Sequence, residues 1–428
     1  MTVYSRRQWL WVLLAAFFVG GSPVHAQDEP PAPPSLSYYQ RMMQTTEAIE
    51  DQGDILLWGR LSERVPERVL GLRLDYRSRR YDSAYRDDNR VGDVIQSMRP
   101  QDPFGSDGRF FQFITEVDGR LQMLDLRLSY GILDHVTFYA HFPLVKQEAD
   151  LDFRFTPGTS ARIGVRTVED LFRLYEQYGR PAPDARFRSL GWDPGDLTTG
   201  FLWTYYEGRY FSATSQFSLI VPSGILADPN QAQRFGMGAQ LDVGQGSLAP
   251  GLTHMMHVRL PGRLQWIGLW LEGSFFYYLE DEREGPKWSE PNAALAGLSG
   301  DLQLDDNRFL DLSKVDRSYT ITPGAQVDTL AAVTFYLRYF TLGFGYFYDY
   351  RQEPIINADA DLKRFFDAGE SYLAGDGHSL ALQVGVPLSW IRVPGLFNVG
   401  YAYPVGGRNS LRYEDRFDLQ TVFFLPLF

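Results

Sequence analysis

A two-residue rhythm recurs along most of this chain, and it limits the possible folds more than any other feature. Leu70, Leu72, Leu74 and Tyr76 share one parity; Gly71, Arg73, Asp75 and Arg77 share the other. Val136, Phe138, Ala140 and Phe142 alternate with Thr137, Tyr139 and His141 in the same way. Ile267, Leu269, Leu271 and Phe275 alternate with Trp266, Trp270, Glu272 and Ser274. Successive side chains of a strand point to opposite faces, so each stretch offers one apolar and one polar face. The closing stretch, Arg416 to Phe428, repeats the pattern, with Phe417 to Leu427 on one parity and Arg416, Asp418 and Gln420 on the other. Pro426 cannot donate a ladder hydrogen bond, which a strand end tolerates.

The connections between these stretches alternate in length. They are long after Arg77, Lys146, Val221, Leu279 and Arg351, and short at Leu133, Glu207, Pro261, Tyr339 and Ile391. A soluble sandwich has no reason to collect its long loops at one end. An up-and-down transmembrane barrel does, with short periplasmic turns and long extracellular loops. The expected fold is therefore all-β: an antiparallel up-and-down β-barrel of about twelve strands, an even number as bacterial single-chain barrels require. Parity slips near Met123–Leu124, which predicts a bulge there. If Asp118-Gly119 is instead a hairpin turn, the count rises to about fourteen. Phe424 and Phe428 fall on the inward parity, and a bulge at Phe423–Phe424 would return them to the outside. Thr167 to Tyr178 reads as an amphipathic helix within a long excursion from Ala149 to Pro194.

Composition agrees with a barrel. Aromatic residues make up 15% of the chain, and Tyr76, Tyr130, Tyr205, Tyr277, Tyr350 and Tyr403 fit girdles near strand ends. The mean hydropathy is −0.26, and past the N-terminus no apolar run reaches the ~18 residues that a membrane helix needs. There is no cysteine, which excludes thiol chemistry and disulfides. Arg6 and Arg7, the apolar run Trp9 to Val19, and Val24-His25-Ala26 make residues 1–26 a signal peptide. Residues 27–66 then form a periplasmic Pro-rich linker with a short helix, and 67–428 the outer-membrane barrel. Losing Arg6 and Arg7 takes the formal charge from −12 to −14, which argues against nucleic acid as a partner.

The inward parity gathers the charged side chains. Arg73, Asp75, Arg77, Asp125, Arg127, His141, His257, Arg259, Glu272, Asp328, Arg338 and Asp349 are the candidate lumen-lining residues. So many charges on one face imply a wet lumen or a network of ion pairs, because unpaired burial is costly. Their mixed sign argues against a strongly ion-selective filter. No cofactor or metal site emerges: His254 and His257, three apart on a strand, point to opposite faces. No Gly-x-Ser-x-Gly elbow accompanies the histidines, so the chain is not expected to be an enzyme.

Tyr130-Gly131-Ile132-Leu133-Asp134-His135 with Phe142-Pro143-Leu144, then Gly195-Asp196-Leu197, then Val221-Pro222-Ser223-Gly224, stand in an order that resembles the phenol-degradation meta-pathway (MetA-like) outer-membrane proteins. The phrases cover roughly the middle third. The resemblance implies a porin-like barrel for small, often hydrophobic compounds, and transfers no catalytic residue. The expected function is an outer-membrane channel or transporter for small, hydrophobic or aromatic solutes. The alternatives are a structural or adhesin-like surface barrel with a plugged lumen, and a lipid hydrolase. The expected partners are outer-membrane lipid, lipopolysaccharide, the solute, and the barrel-assembly machinery acting on the strand that ends at Phe428.

Overall fold

The computed structural model describes residues 64–94, 109, 111–177, 185–188, 191–226, 244–285, 316–337, 339–360, 362–363, 374–388, 391, 393 and 395–427. The residues expected to form the signal peptide, nearly all of those expected to form the linker, Arg338 and Phe428 lie outside the described residues.

Twelve antiparallel strands close into a barrel. They are β1 (Val69–Tyr81), β2 (Phe111–Leu133), β3 (Val136–Pro157), β4 (Leu197–Glu207), β5 (Phe211–Val221), β6 (Ala249–Arg259), β7 (Ile267–Tyr277), β8 (Ala325–Tyr336), β9 (Thr341–Arg351), β10 (Gly375–Pro387), β11 (Gly395–Arg408) and β12 (Arg416–Pro426). Each pairs with its sequence neighbours, and β12 returns to β1 with Leu74 opposite Thr421 and Arg73 opposite Val422. Closure gives every wall strand a partner on both sides, which hydrocarbon demands because it offers the backbone no water.

The outward parity is apolar. Leu128, Phe138, Phe201, Trp203, Phe217, Leu271, Phe275, Phe344, Leu380, Leu382, Tyr401 and Phe417 all lie on the exposed face of the wall. In water such a continuous apolar belt would be an aggregation surface; around a transmembrane barrel it is the lipid-facing band.

The β2–β3 hairpin is far longer than a bilayer needs. Its 23 and 22 residues exceed the roughly 9–11 of a spanning strand. Register runs unbroken from Phe111↔Pro157 to Gly131↔Thr137. The bulge expected at Met123–Leu124 is therefore absent, Asp118-Gly119 is no turn, and the count stays at twelve. β3 also continues to Pro157, well into the stretch expected to be an excursion from Ala149. What changes along the hairpin is the solvent. Near the short turn, Leu124, Leu126 and Leu128 point outward while Asp125 and Arg127 are buried. Farther out, Phe111, Phe113 and Val117 are buried on that same inward parity. The outward positions carry Glu116, paired with Arg154 at 2.7 Å, and Asp118, paired with Arg80 at 2.8 Å.

The expected helix covers this extension. α1 (Val168–Gln177) packs Leu171, Val168 and Phe172 against Phe111, Phe113, Phe153 and Phe155. Phe172 meets Phe113 and Phe153 edge-on at 6.1 and 5.2 Å. Thr167 and Asp170 close its first turn reciprocally: the Thr167 hydroxyl accepts from the Asp170 amide, and the Asp170 carboxylate accepts from the Arg166 and Thr167 amides. Those amides hold the Asp170 carboxyl below its ordinary range, the Arg166 amide contributing most.

Other long loops are ordered by two small sheets, one of 281–284, 318–322 and 355–357, the other of 83–85, 91–93 and 410–412.

Candidate functional site

The inward parity forms two unlike walls. One is charged and spans β1, β2, β3 and β12. Cross-strand register places Arg73 opposite Arg127 and Asp75 opposite Asp125, an arrangement of like charges that repels if nothing else intervenes. The ion pairs run along and diagonally instead. Arg73 grips Asp75, two residues along its own strand, at 2.7 and 2.8 Å. Arg77 reaches across to Asp125 at 3.2 Å, and His141 Nε2 lies 3.4 Å from the other Asp125 oxygen. The Arg127 guanidinium lies over the Tyr139 ring, 5.4 Å from its centroid. Arg73, at 1% exposure, is among the most buried large side chains described.

Amides continue this wall. Gln420 lies between Asn398, 2.7 Å away, and the Arg73 guanidinium, whose donors require the amide oxygen on their side. Asp75, Arg77, Gln383, Asn398, Gly400, Asp418 and Gln420 surround a cavity of about 10 Å³, roughly the space of one water molecule.

The opposite wall, β4 to β9, is mixed: buried polar side chains such as Gln216, Thr253, His257 and Glu272 stand beside apolar clusters. Leu202 and Met255 cluster with Tyr139, and Leu330, Ala332 and Phe347 with Ala381 and Ala402; Trp270 packs against both groups. Polar atoms here are tied locally. The Tyr139 hydroxyl donates to Ser218 Oγ at 2.7 Å and accepts from Gln216 Nε2 at 2.9 Å. His257 Nε2 lies 3.0 Å from the Tyr336 hydroxyl, and Arg259 stacks 4.6 Å over the Tyr336 ring. Trp270 Nε1 donates to Glu272 at 3.4 Å.

The structure thus brings Arg73, Asp75, Arg77, Asp125, Arg127 and His141 into one group, and His257, Arg259 and Glu272 into a second. Asp328 lies outside both groups: it accepts from Gln326 at 3.3 Å and sits opposite Asp349 in the β8–β9 register. Asp349 shares the inward parity but is exposed near the long-loop end of β9. Among the described residues no group of three or more His, Cys, Asp or Glu side chains could hold a metal. Sequence reasoning missed Leu202, Met255, Leu330 and Phe347, because apolar residues on an inward parity carry no charge to mark them.

Two further outcomes concern the ends of the barrel. No register shift occurs along β12, so Phe424 stays inward at 2% exposure. The expected bulge is unnecessary because Val65, Val69, Leu396 and Val422 give the ring an apolar site at the short-turn mouth. At the long-loop end, two of the phrases noted above interlock. Asp196 accepts from the amides of Ser223, Gly224 and Gln245, and the Ser223 hydroxyl bridges the Leu197 amide and the Gly195 carbonyl. A Cβ at Gly224 would come within 2.6 Å of Gly244 Cα.

No family model matches the chain, and no curated protein matches it. Among solved structures it is similar to the COG4313 outer membrane channel from Pseudomonas putida F1, with a TM-score of 0.50, 12% identity, and coverage of 86% of this chain and 99% of that one. It also matches the TodX deltaS2S3 mutant monoaromatic hydrocarbon channel (TM-score 0.36, 10% identity, 85% and 91% covered) and the CymD monoaromatic hydrocarbon channel (0.31, 9%, 91% and 93%). At this identity the first likeness is one of fold, and the lower scores of the other two add no argument.

Proposed function

We propose that the chain is an outer-membrane channel for small solutes, with its short turns in the periplasm and its long loops outside. The observation that carries this reading is the closed twelve-stranded wall, apolar outside and lined within by a charged side and a mixed side that carries apolar clusters. Trp270, half-buried against the clusters that enclose Tyr139 and Phe347, favours solutes with an apolar or aromatic part, in keeping with the MetA-like phrases. The ionised groups opposite keep that path wet. Lipid and lipopolysaccharide surround the band, and the assembly machinery takes the terminal strand.

The paired charges and the small cavity between β1 and β10 favour a second reading, a structural or adhesin-like barrel with a filled lumen. A lipid hydrolase has one geometric point in its favour: His254 stands on the outward face with Ser215 Oγ at 3.2 Å and the Tyr205 hydroxyl at 3.1 Å. Its place argues against that chemistry. His254 is the central residue of β6, at mid-band, far from the depth where lipid esters lie.

Purified protein in planar bilayers decides between the first two readings. Discrete conductance steps are expected. A silent protein that still shifts in mobility on boiling would leave the filled barrel standing and end the channel reading.

A further inference from the structure

The chain enters its own barrel before the first strand begins. Val65 is fully buried among Val69, Leu396, Val422 and Phe424, all inward-facing at the short-turn mouth. Its amide donates to the Thr137 hydroxyl at 3.0 Å, and that hydroxyl lies 3.2 Å from the Val65 carbonyl. Arg64 reaches the Asp134 carbonyl at 2.6 Å and pairs with Glu207, so one side chain joins the β2–β3 and β4–β5 turns. The segment then runs past Gly131, where a Cβ would lie 1.9 Å from the Pro66 carbonyl oxygen. It leaves through Arg68 in a left-handed conformation, φ 61°. The Arg68 amide donates to Gly131 at 2.9 Å, and its carbonyl accepts from Leu427 at 2.7 Å. Contacts to β2, β3, β11, β12 and the β4–β5 turn place Val65 inside the mouth, with Glu67 and Arg68 exposed at its rim.

We propose that residues 64–68 form the constriction of the channel: a strap, latched by Arg64 to Glu207, whose apolar cluster narrows the periplasmic mouth and sets the conductance. The inference rests on the channel reading. The cluster lies on the adjacent strands β1, β11 and β12 and so narrows the mouth from one side, and an apolar lining at a narrow point is a barrier because water and ions leave it. The strap is also built to move as a unit. Outside its apolar cluster it is held by the Thr137 hydroxyl, by Arg64 on the Asp134 carbonyl and on Glu207, by the Glu67 amide on the Asp134 carboxylate and by a few backbone hydrogen bonds, whereas the wall is held by continuous ladders.

Val65→Asp puts a carboxylate into the apolar cluster and should expel the strap. The expected result in planar bilayers is a rise in single-channel conductance on the order of twofold or more, with Val65→Leu unchanged. Unaltered conductance in Val65→Asp beside a conducting wild type would overturn the strap alone. Silence of both, in protein that still shifts on boiling, would overturn the channel reading and the strap with it. Should Val65→Asp fail to assemble, Val65→Cys in this cysteine-free chain provides the second test. Its reaction with a bulky thiol reagent should be slow, and several-fold faster when Arg64→Glu is added. Equal rates would overturn the latch.

Discussion

The two halves of the β2–β3 hairpin use one backbone register and opposite chemistry. In the half near the short turn, Leu124, Leu126, Leu128 and Tyr130 face out and Asp125, Arg127 and Ser129 face in. In the other half, Glu116, Asp118 and Arg120 face out and Phe111, Phe113 and Val117 face in. No residue is inserted between them. A strand crossing from lipid into water must invert its apolar face, because the surroundings outside it have inverted. The inversion therefore marks the membrane boundary near Leu121–Gln122, where Gln122 donates to the Tyr76 hydroxyl at 2.9 Å.

The contrast can be strained most severely at Asp125. Replacing it with Ala removes the nearer carboxylate from Arg77, which keeps Asp75 at 3.7 Å, and the carboxylate beside His141, which should cost about 3–5 kcal/mol. Glu116→Ala, on the same strand but in an exposed pair, should cost about 0–1 kcal/mol. Urea unfolding in liposomes measures both, and equal costs would remove the distinction between the halves. Leu126→Arg comes next: on the lipid face it should cost about 2–4 kcal/mol. Arginine is already accommodated at the equivalent parity in the outer half, at Arg120. The smallest effect concerns α1. Asp170 titrates below its ordinary value because the Arg166 and Thr167 amides hold its charged form. Its contribution to the cap is full above the unfolded value of about 3.9 and is lost as pH falls through the lower folded value. Amide exchange of residues 168–177 should quicken only in that acid window, with the barrel strands unaffected.

Much of this architecture was legible from alternation and connection lengths, because both follow from a wall with lipid on one side. The pairing of Arg73, Asp75 and Arg77 with Asp125 and His141 was legible as a shared face, though not as a diagonal network. Three features were hidden for physical reasons. The inward place of Phe111 and Phe113 was hidden behind the parity slip near Met123–Leu124, since a change of solvent and a bulge produce the same pattern. Phe424 looked misplaced because nothing local reveals that Val65 returns from outside the barrel to meet it. Trp270 was legible on the inward parity beside Glu272, whereas the Leu330 and Phe347 cluster it packs against was hidden, because a search for charge passes over it. By contrast, Gly195-Asp196-Leu197 and Val221-Pro222-Ser223-Gly224 were visible as phrases before their mutual hydrogen bonds were known.

Spin labels placed singly along residues 112 to 130 test the central claim most directly. Even positions from 124 to 130 should be reached by oxygen from lipid, and even positions from 114 to 120 by a water-soluble nickel complex, with odd positions shielded throughout. A transfer of the accessible set to odd positions anywhere along the strand would contradict the continuous register, and with it the barrel described here.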